Sequence, residues 1–133
     1  MKLLLDSHVF IWMHQEPENL SKQAQNLLGS SSNTLYLSHA SIWELQAKIS
    51  AGRLTFESGL IARIAAEQKQ NGLQLLAVNL GHIEFLSKIA FYKEHTDPFD
   101  RMLIAQAAVE GLTLISADHK MQQLNYGIPV LWE

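Results

Sequence analysis

The sequence predicts an α/β fold with a mainly parallel five-stranded sheet, on three observations. Apolar runs of strand length alternate along the chain with segments of helical period. The segment at 98–110 runs through Met102, Leu103, Ile104, Ala105, Ala107, Ala108 and Val109 with only Gln106 between them. It is apolar almost all round, as suits a central helix covering a sheet. No repeat, linker or low-complexity stretch divides the chain, which predicts a single domain over residues 1–133.

Taken in order, residues 2–5 form the first strand candidate, followed by a turn of helix around 9–13, a loop at 16–19 and a helix over 21–28 that "GSSSN" ends. The second strand, 34–37, leads into a helix over 41–50, broken by "AGR" at 51–53. Leu60, Ile61, Ile64 and Ala65 mark the next helix, which "QNG" closes with Gly72 suited to a C-terminal cap. A third strand at 73–78 precedes a helix carrying Ile83, Leu86 and Ile89. The helix over 98–110 stops at Gly111, and strands at 112–115 and 128–131 complete the set.

At 133 residues the chain is long enough to bury roughly two-thirds of its unfolded surface. A 47% hydrophobic and 17% charged composition describes a soluble globular protein and excludes a disordered one. Without cysteine there is neither a disulfide framework nor a thiolate metal site, which is compatible with a reducing compartment. Lys2 precedes a short apolar run interrupted by Asp6, unlike a signal peptide, and no segment reaches the roughly 20 apolar residues that span a bilayer. The expectation is a cytoplasmic protein with no membrane contact. Its net charge of -3 and pI near 6.0 run against simple electrostatic binding of nucleic acid.

The informative residues are the acids. Asp6 follows the first strand, Glu44 sits in the first turn after the second, Asp100 in the first turn of the central helix, and Asp118 just beyond the fourth strand. In an open parallel sheet, ligands bind outside the carboxyl ends of the strands, so the four acids are placed to converge on one edge. Capping is the competing explanation. "SIWE" at 41–44 matches a capping box with Ser41 as N-cap and Glu44 at N3, and "DPFD" at 97–100 reads as Asp97 N-cap, Pro98 at N1 and Asp100 at N3. Asp6 is harder to assign to a cap, because Ser7 serves that purpose equally well. Asp100 shares a helical stripe with Leu103, Ile104 and Ala107, so its charge faces the core and needs a partner.

Carboxylates gathered in one place repel, and protons or cations must neutralise them. Hard ions such as Mg²⁺ or Mn²⁺ take oxygen ligands of this kind, whereas zinc without cysteine is less favoured. Two such ions can activate water and stabilise a leaving oxygen in phosphodiester cleavage. Bound cations also reverse the local field, which reconciles an acidic protein with an anionic substrate.

In order along the chain, "LLLDSHVFIW", "SIWELQAK", "HTDPFDRMLIAQA" and "LISADHKM" resemble the PIN-domain family, specifically the VapC-type toxins of type II toxin-antitoxin pairs. Ser7 stands where that group has threonine, keeping the hydroxyl. The resemblance implies a PIN-like three-layer fold with strand order 3-2-1-4-5, and a metal-dependent endoribonuclease using Mg²⁺ or Mn²⁺. It makes Asp6, Glu44, Asp100 and Asp118 the catalytic and metal-binding quartet, with Asp97 as cap or outer-shell residue. It further implies an RNA substrate, a cognate VapB-like antitoxin and a homodimer.

On this reading Asp6 and Asp100 hold the principal ion, Asp118 completes its shell or binds a second, and Glu44 orients or deprotonates the attacking water. Ser7 and Ser116 are candidate hydrogen-bond donors to the carboxylates, with capping as the alternative. Arg101 is expected to pair with Asp97 or an RNA phosphate. His8, His39, His95 and His119 fall near the rim but lack metal-ligand spacing, so they read as polar rim residues or caps. Trp12 and Trp43 read as packing residues, with base stacking as the alternative. Ile11, Trp12, Leu27 and Leu28 are either core or the apolar groove of a partner. Three other classes compete: a PIN-type RNA-processing nuclease without a toxin role, a phosphoacceptor α/β module, and a binding module whose acids only cap helices. A haloacid-dehalogenase-like site would need an acid at position 8, where His8 stands, and a receiver would want an acidic pair after the first strand.

Overall fold

A computed structural model describes residues 1–132 of the chain. Five strands, β1 (Lys2–Leu5), β2 (Thr34–Ser38), β3 (Gln74–Leu76), β4 (Thr113–Ser116) and β5 (Val130–Trp132), form one parallel sheet in the order β3-β2-β1-β4-β5. The strand order 3-2-1-4-5 is therefore as expected. β1 is the middle strand, with Leu4 level with Tyr36 of β2 and Leu114 of β4. The chain first builds outward from β1 through β2 to β3 and then returns to β1's other side, so strand order reverses between β1 and β4.

Both faces are covered, giving three layers. Leu3 and Leu5 point into one core with Phe10 and Val9 of α1 (Ser7–Gln15), Ala24 of α2 (Lys22–Gly29), Leu45 of α3 (His39–Ser50) and Ile64 of α4 (Leu60–Asn71). Leu4, one residue out of phase, enters the other core with Leu103 and Ile104 of α6 (Pro98–Glu110) and Met121 of α7 (His119–Gln123). The helix α5 (Leu80–Phe85) lies in the crossover ahead of α6. Gly72 and Gly111, at φ 69° and 67°, close α4 and α6 in the left-handed conformation that side chains with a Cβ resist.

Several boundaries differ from the sequence reading, each for a local reason. Helix α3 begins at His39, because the Ser38 hydroxyl accepts the Ala40 N–H at 3.0 Å. Ser41 is therefore inside the helix, and the capping box assigned to Ser41 and Glu44 does not form. Ser21 caps α2 from outside it. The helix expected through Ile89 ends at Phe85 and tightens into a 3-10 turn over Leu86–Lys88, and a 3-10 turn at Pro17–Asn19 occupies the expected loop. The short α7, absent from the sequence reading, is started by Asp118, whose carboxylate accepts the Lys120 N–H at 2.9 Å.

The α6 N-terminus matches its expectation: Asp97 Oδ1 accepts N–H bonds from Phe99 and Asp100 at 2.8 and 3.2 Å, with Pro98 at N1. Among the described residues, no helix is long and apolar enough to cross a membrane. Urea unfolding measures the two anchors of this helix separately. Leu103→Ala, at a 1% exposed site, is expected to cost about 2–5 kcal/mol, and Asp97→Ala about 0.5–2 kcal/mol.

Candidate metal centre

The carboxyl end of β1 presses against that of β4, and the site grows from this junction. Asp6 occupies the N-cap position of α1, yet its side chain makes no capping bond. Its backbone N–H extends the ladder to Ile115 O at 3.0 Å, and its Oδ2 accepts the Ser116 hydroxyl at 2.6 Å. That hydroxyl oxygen also accepts the Asp118 N–H at 3.0 Å, so one serine fixes the first and last acids relative to each other. Ser7 likewise turns away from capping and donates to Glu44 Oε1 at 2.7 Å, while Lys48 Nζ lies 3.6 Å from Oε2. The two hydroxyls thus tie α1 to α3 and β1 to β4 through carboxylates.

Asp6 is only 4% exposed, and burial pushes its carboxyl above the ordinary value. The Glu44 charge raises it further, against the lowering effects of the Ser116 hydrogen bond and the His8 charge. Asp100 is raised from 3.8 to about 7, chiefly by burial, with the Asp6 and Asp97 charges adding to it and His95 working against it. Asp6 therefore stands between two other acids electrostatically, raised by the Glu44 charge and itself raising Asp100.

Asp118 reaches the group through His95. The buried imidazole places Nε2 2.8 Å from Asp100 Oδ2 and 3.8 Å from Asp118 Oδ2, and its Nδ1 meets the Tyr126 hydroxyl at 2.7 Å. Ligand atoms of His95, Asp100 and Asp118 all lie within 4.8 Å of one another, a separation that one ion can bridge. This trio overlaps the quartet named from sequence without coinciding with it: His95 enters, Asp6 adjoins it through its charge on Asp100, and Glu44 is linked only through Asp6.

The donor set fits a hard divalent cation. Carboxylates dominate, two are held away from their ordinary ionisation by burial and mutual repulsion, and sulfur is absent. Burying two acids that raise each other's charge cost is unfavourable unless a cation or protons compensate.

Other sequence expectations are corrected. Arg101 does not pair with Asp97: its Nη1 donates to Ala90 O at 3.1 Å and its guanidinium lies over the Phe91 ring. Trp43 is not a packing residue. It is 69% exposed and meets Phe99 edge-on at 5.3 Å, beside an apolar cavity of about 600 Å³ that also involves Val78, Ile83 and Met102. Ile11 is core, and Trp12, Leu27 and Leu28 are partly buried against the same core, with Leu27 and Leu28 each also lining a surface cavity. Among the rim histidines, sequence reasoning undervalued His95. Its partners stand 5 and 31 residues away along the chain, a separation that carries no local pattern.

A family model of the PIN domain matches residues 3–125. Among curated proteins none matches. Solved structures with the same fold include VapBC2 from Rickettsia felis bound to a DNA fragment from their promoter, with a TM-score of 0.74 and 14% identity over 100% of both chains. VapBC-1 from nontypeable Haemophilus influenzae aligns with a TM-score of 0.67 and 18% identity, covering 99% of this chain and 98% of the other. FitAcB from Neisseria gonorrhoeae aligns at 0.65 with 16% identity, covering 97% and 96%.

The raised carboxyls dictate how metal-free protein responds to pH. Between pH 3.8 and about 7 the folded state binds more protons at Asp100 than the unfolded state does. Stability in EDTA therefore falls as pH rises through that window, and levels off above it. Asp100→Asn, which removes the charge and keeps an acceptor for His95, is expected to raise the melting midpoint in EDTA at pH 8 by about 4 °C or more. Calorimetric melts at pH 5 and pH 8 check both statements.

Proposed function

The chain belongs to the PIN domain family, and from that premise we propose that it is a divalent-metal-dependent endoribonuclease, the toxin of a VapBC-type pair. The observation that carries this reading is the run of charge-coupled carboxylates at the reversal point of the sheet, the buried Asp6 with the half-buried Glu44 and Asp100, with Asp118 joined to them through Ser116 and His95.

Asp6, Asp100 and Asp118, with Glu44 alongside, are the residues we assign to Mg²⁺ or Mn²⁺. Bound there, the ion supplies a water of lowered pKa and neutralises charge on the scissile phosphate. The chain's own part is orientation. Ser116 and His95 each occupy one carboxylate oxygen, of Asp6 and Asp100 respectively, leaving the other oxygen for ligation. Glu44, its Oε1 held by Ser7, presents Oε2 near Lys48 as the acceptor for the proton of the attacking water. Lys48 and the bound cation together offset the repulsion an RNA backbone would meet at a chain of net charge -3.

We assign the whole chain to one nuclease domain acting in the cytoplasm, with a VapB-like antitoxin and a second copy of the chain as its protein partners. The exposed Trp43, Ile83 and Val78 are the apolar surface such partners would cover.

Cleavage of total RNA tests the enzymatic core of this reading. Activity should require Mg²⁺ or Mn²⁺, stop in EDTA, and fall by roughly 10²-fold or more in Asp6→Asn with the melting profile retained. Full cleavage by Asp6→Asn, or cleavage unaffected by EDTA, contradicts it. Growth arrest on expression of the wild-type chain, relieved by the product of an adjacent small reading frame, separates a toxin from a processing nuclease.

A further inference from the structure

The geometry points to His95 as a positioning residue that holds the Asp100 carboxylate in ligating orientation, itself held by Tyr126. This inference rests on the proposed metal-dependent nuclease and adds a residue to it.

Ligating a cation, Asp100 is ionised and only accepts, so at the 2.8 Å separation the facing Nε2 then carries the hydrogen; a bare nitrogen there would set lone pair against lone pair. Nδ1 is then the acceptor for the Tyr126 O–H at 2.7 Å, and both ring nitrogens are satisfied with the imidazole neutral. The tautomer that donates to Asp100 is thus matched by a hydroxyl on the opposite side of the ring, which can donate to Nδ1.

Tyr126 is in turn fixed. Its ring meets Tyr92 edge-on at 5.2 Å and His95 at 5.7 Å. The Tyr92 hydroxyl donates to Asn125 O at 2.7 Å, and the His95 N–H returns to Tyr92 O at 3.0 Å. The loop before α6 and the segment after α7 therefore clasp each other, and their joint product is the orientation of one imidazole. With Nε2–H directed at Asp100 Oδ2, the nitrogen has no lone pair to offer a cation. His95 acts through Asp100, although its atoms lie close enough to Asp118 to resemble a ligand. At 3.8 Å the Asp118 oxygen is beyond hydrogen-bond range, so the hydrogen is committed to Asp100.

Calorimetric titration of Mg²⁺ and Co²⁺ into the full chain tests this, with wild type, His95→Ala, His95→Gln, Tyr126→Phe and Asp100→Asn compared. Gln offers an amide hydrogen near the position of Nε2. The expected result is a roughly 10- to 100-fold loss of affinity for both ions alike in His95→Ala. His95→Gln should restore most of it, and Tyr126→Phe should show a smaller loss of the same kind. Unchanged affinity in His95→Ala and Tyr126→Phe overturns the inference, as does an equal loss that Gln leaves unrepaired. A loss falling mainly on Co²⁺, the ion better suited to imidazole, overturns it in favour of direct ligation. Should His95→Ala fail to fold, His95→Gln and Tyr126→Phe decide alone: near-wild-type binding in the first with weakened binding in the second supports it, and the reverse defeats it. Binding of neither ion by wild type, or binding that survives Asp100→Asn, defeats the metal-site reading itself. Binding lost in Asp100→Asn but intact in His95→Ala defeats only the role of His95.

Discussion

A carboxylate at the end of the middle strand, almost sealed from water, constrains everything around it. Asp6 is placed there by the ladder that runs from Leu5 into Ile115, and α1 follows at once, so its side chain has nowhere to go but the junction with β4. Burial of an unneutralised carboxylate costs several kcal/mol even after relaxation. The chain meets part of that cost with the Ser116 hydroxyl and places Glu44 and Asp100 where they add to it. A fold selected for stability alone has no use for that arrangement. A site that must draw in a cation does, because the repulsion among its ligands is relieved only when the cation arrives.

The two acids of "DPFD" show how adjacent residues divide structural from chemical work. Asp97 satisfies two N–H groups at the mouth of α6, a contribution on the order of 1 kcal/mol. Asp100, one turn in, could draw on the helix dipole, but 0.3 to about 1 kcal/mol of such stabilisation is small beside the cost of burial. Its hydrogen bond goes to His95 instead. The same split recurs across the sheet. Ser38 caps α3, whereas Ser7, the first residue of α1, and Ser116, at the end of β4, direct their hydroxyls to Glu44 and Asp6.

The fold was readable from sequence wherever one physical signal dominated. The near-uniform apolarity of 98–110 and the glycines at 72 and 111 set helix limits without competition, and α6 runs from Pro98 to Glu110 as expected. The start of α3 was not readable, since Ser38 and Ser41 are both plausible caps and only the sheet register decides between them. Three of the four acids are marked by their position after strands. His95 was placed near the rim but its role was not readable, because its partner Tyr126 is brought to it by the fold across 31 residues. Trp43 misled for a related reason: an amphipathic period places it on a helix but does not say that its face lacks a cover within the chain.

Burial and the neighbouring Asp6 and Asp97 charges raise the Asp100 carboxyl to about 7, so that near neutral pH it stays partly protonated until a divalent ion binds. Proton release on binding reads this directly, from the dependence of calorimetric heat on buffer ionisation enthalpy. Titrated with Mn²⁺ near pH 6, below the Asp100 carboxyl at about 7, the protein is expected to release close to one proton per ion, and progressively fewer toward pH 8.5. Heats independent of buffer at both pH values, with binding otherwise intact, would mean that Asp100 is already ionised near pH 6, and would contradict a raised Asp100 carboxyl as the group the ion displaces a proton from.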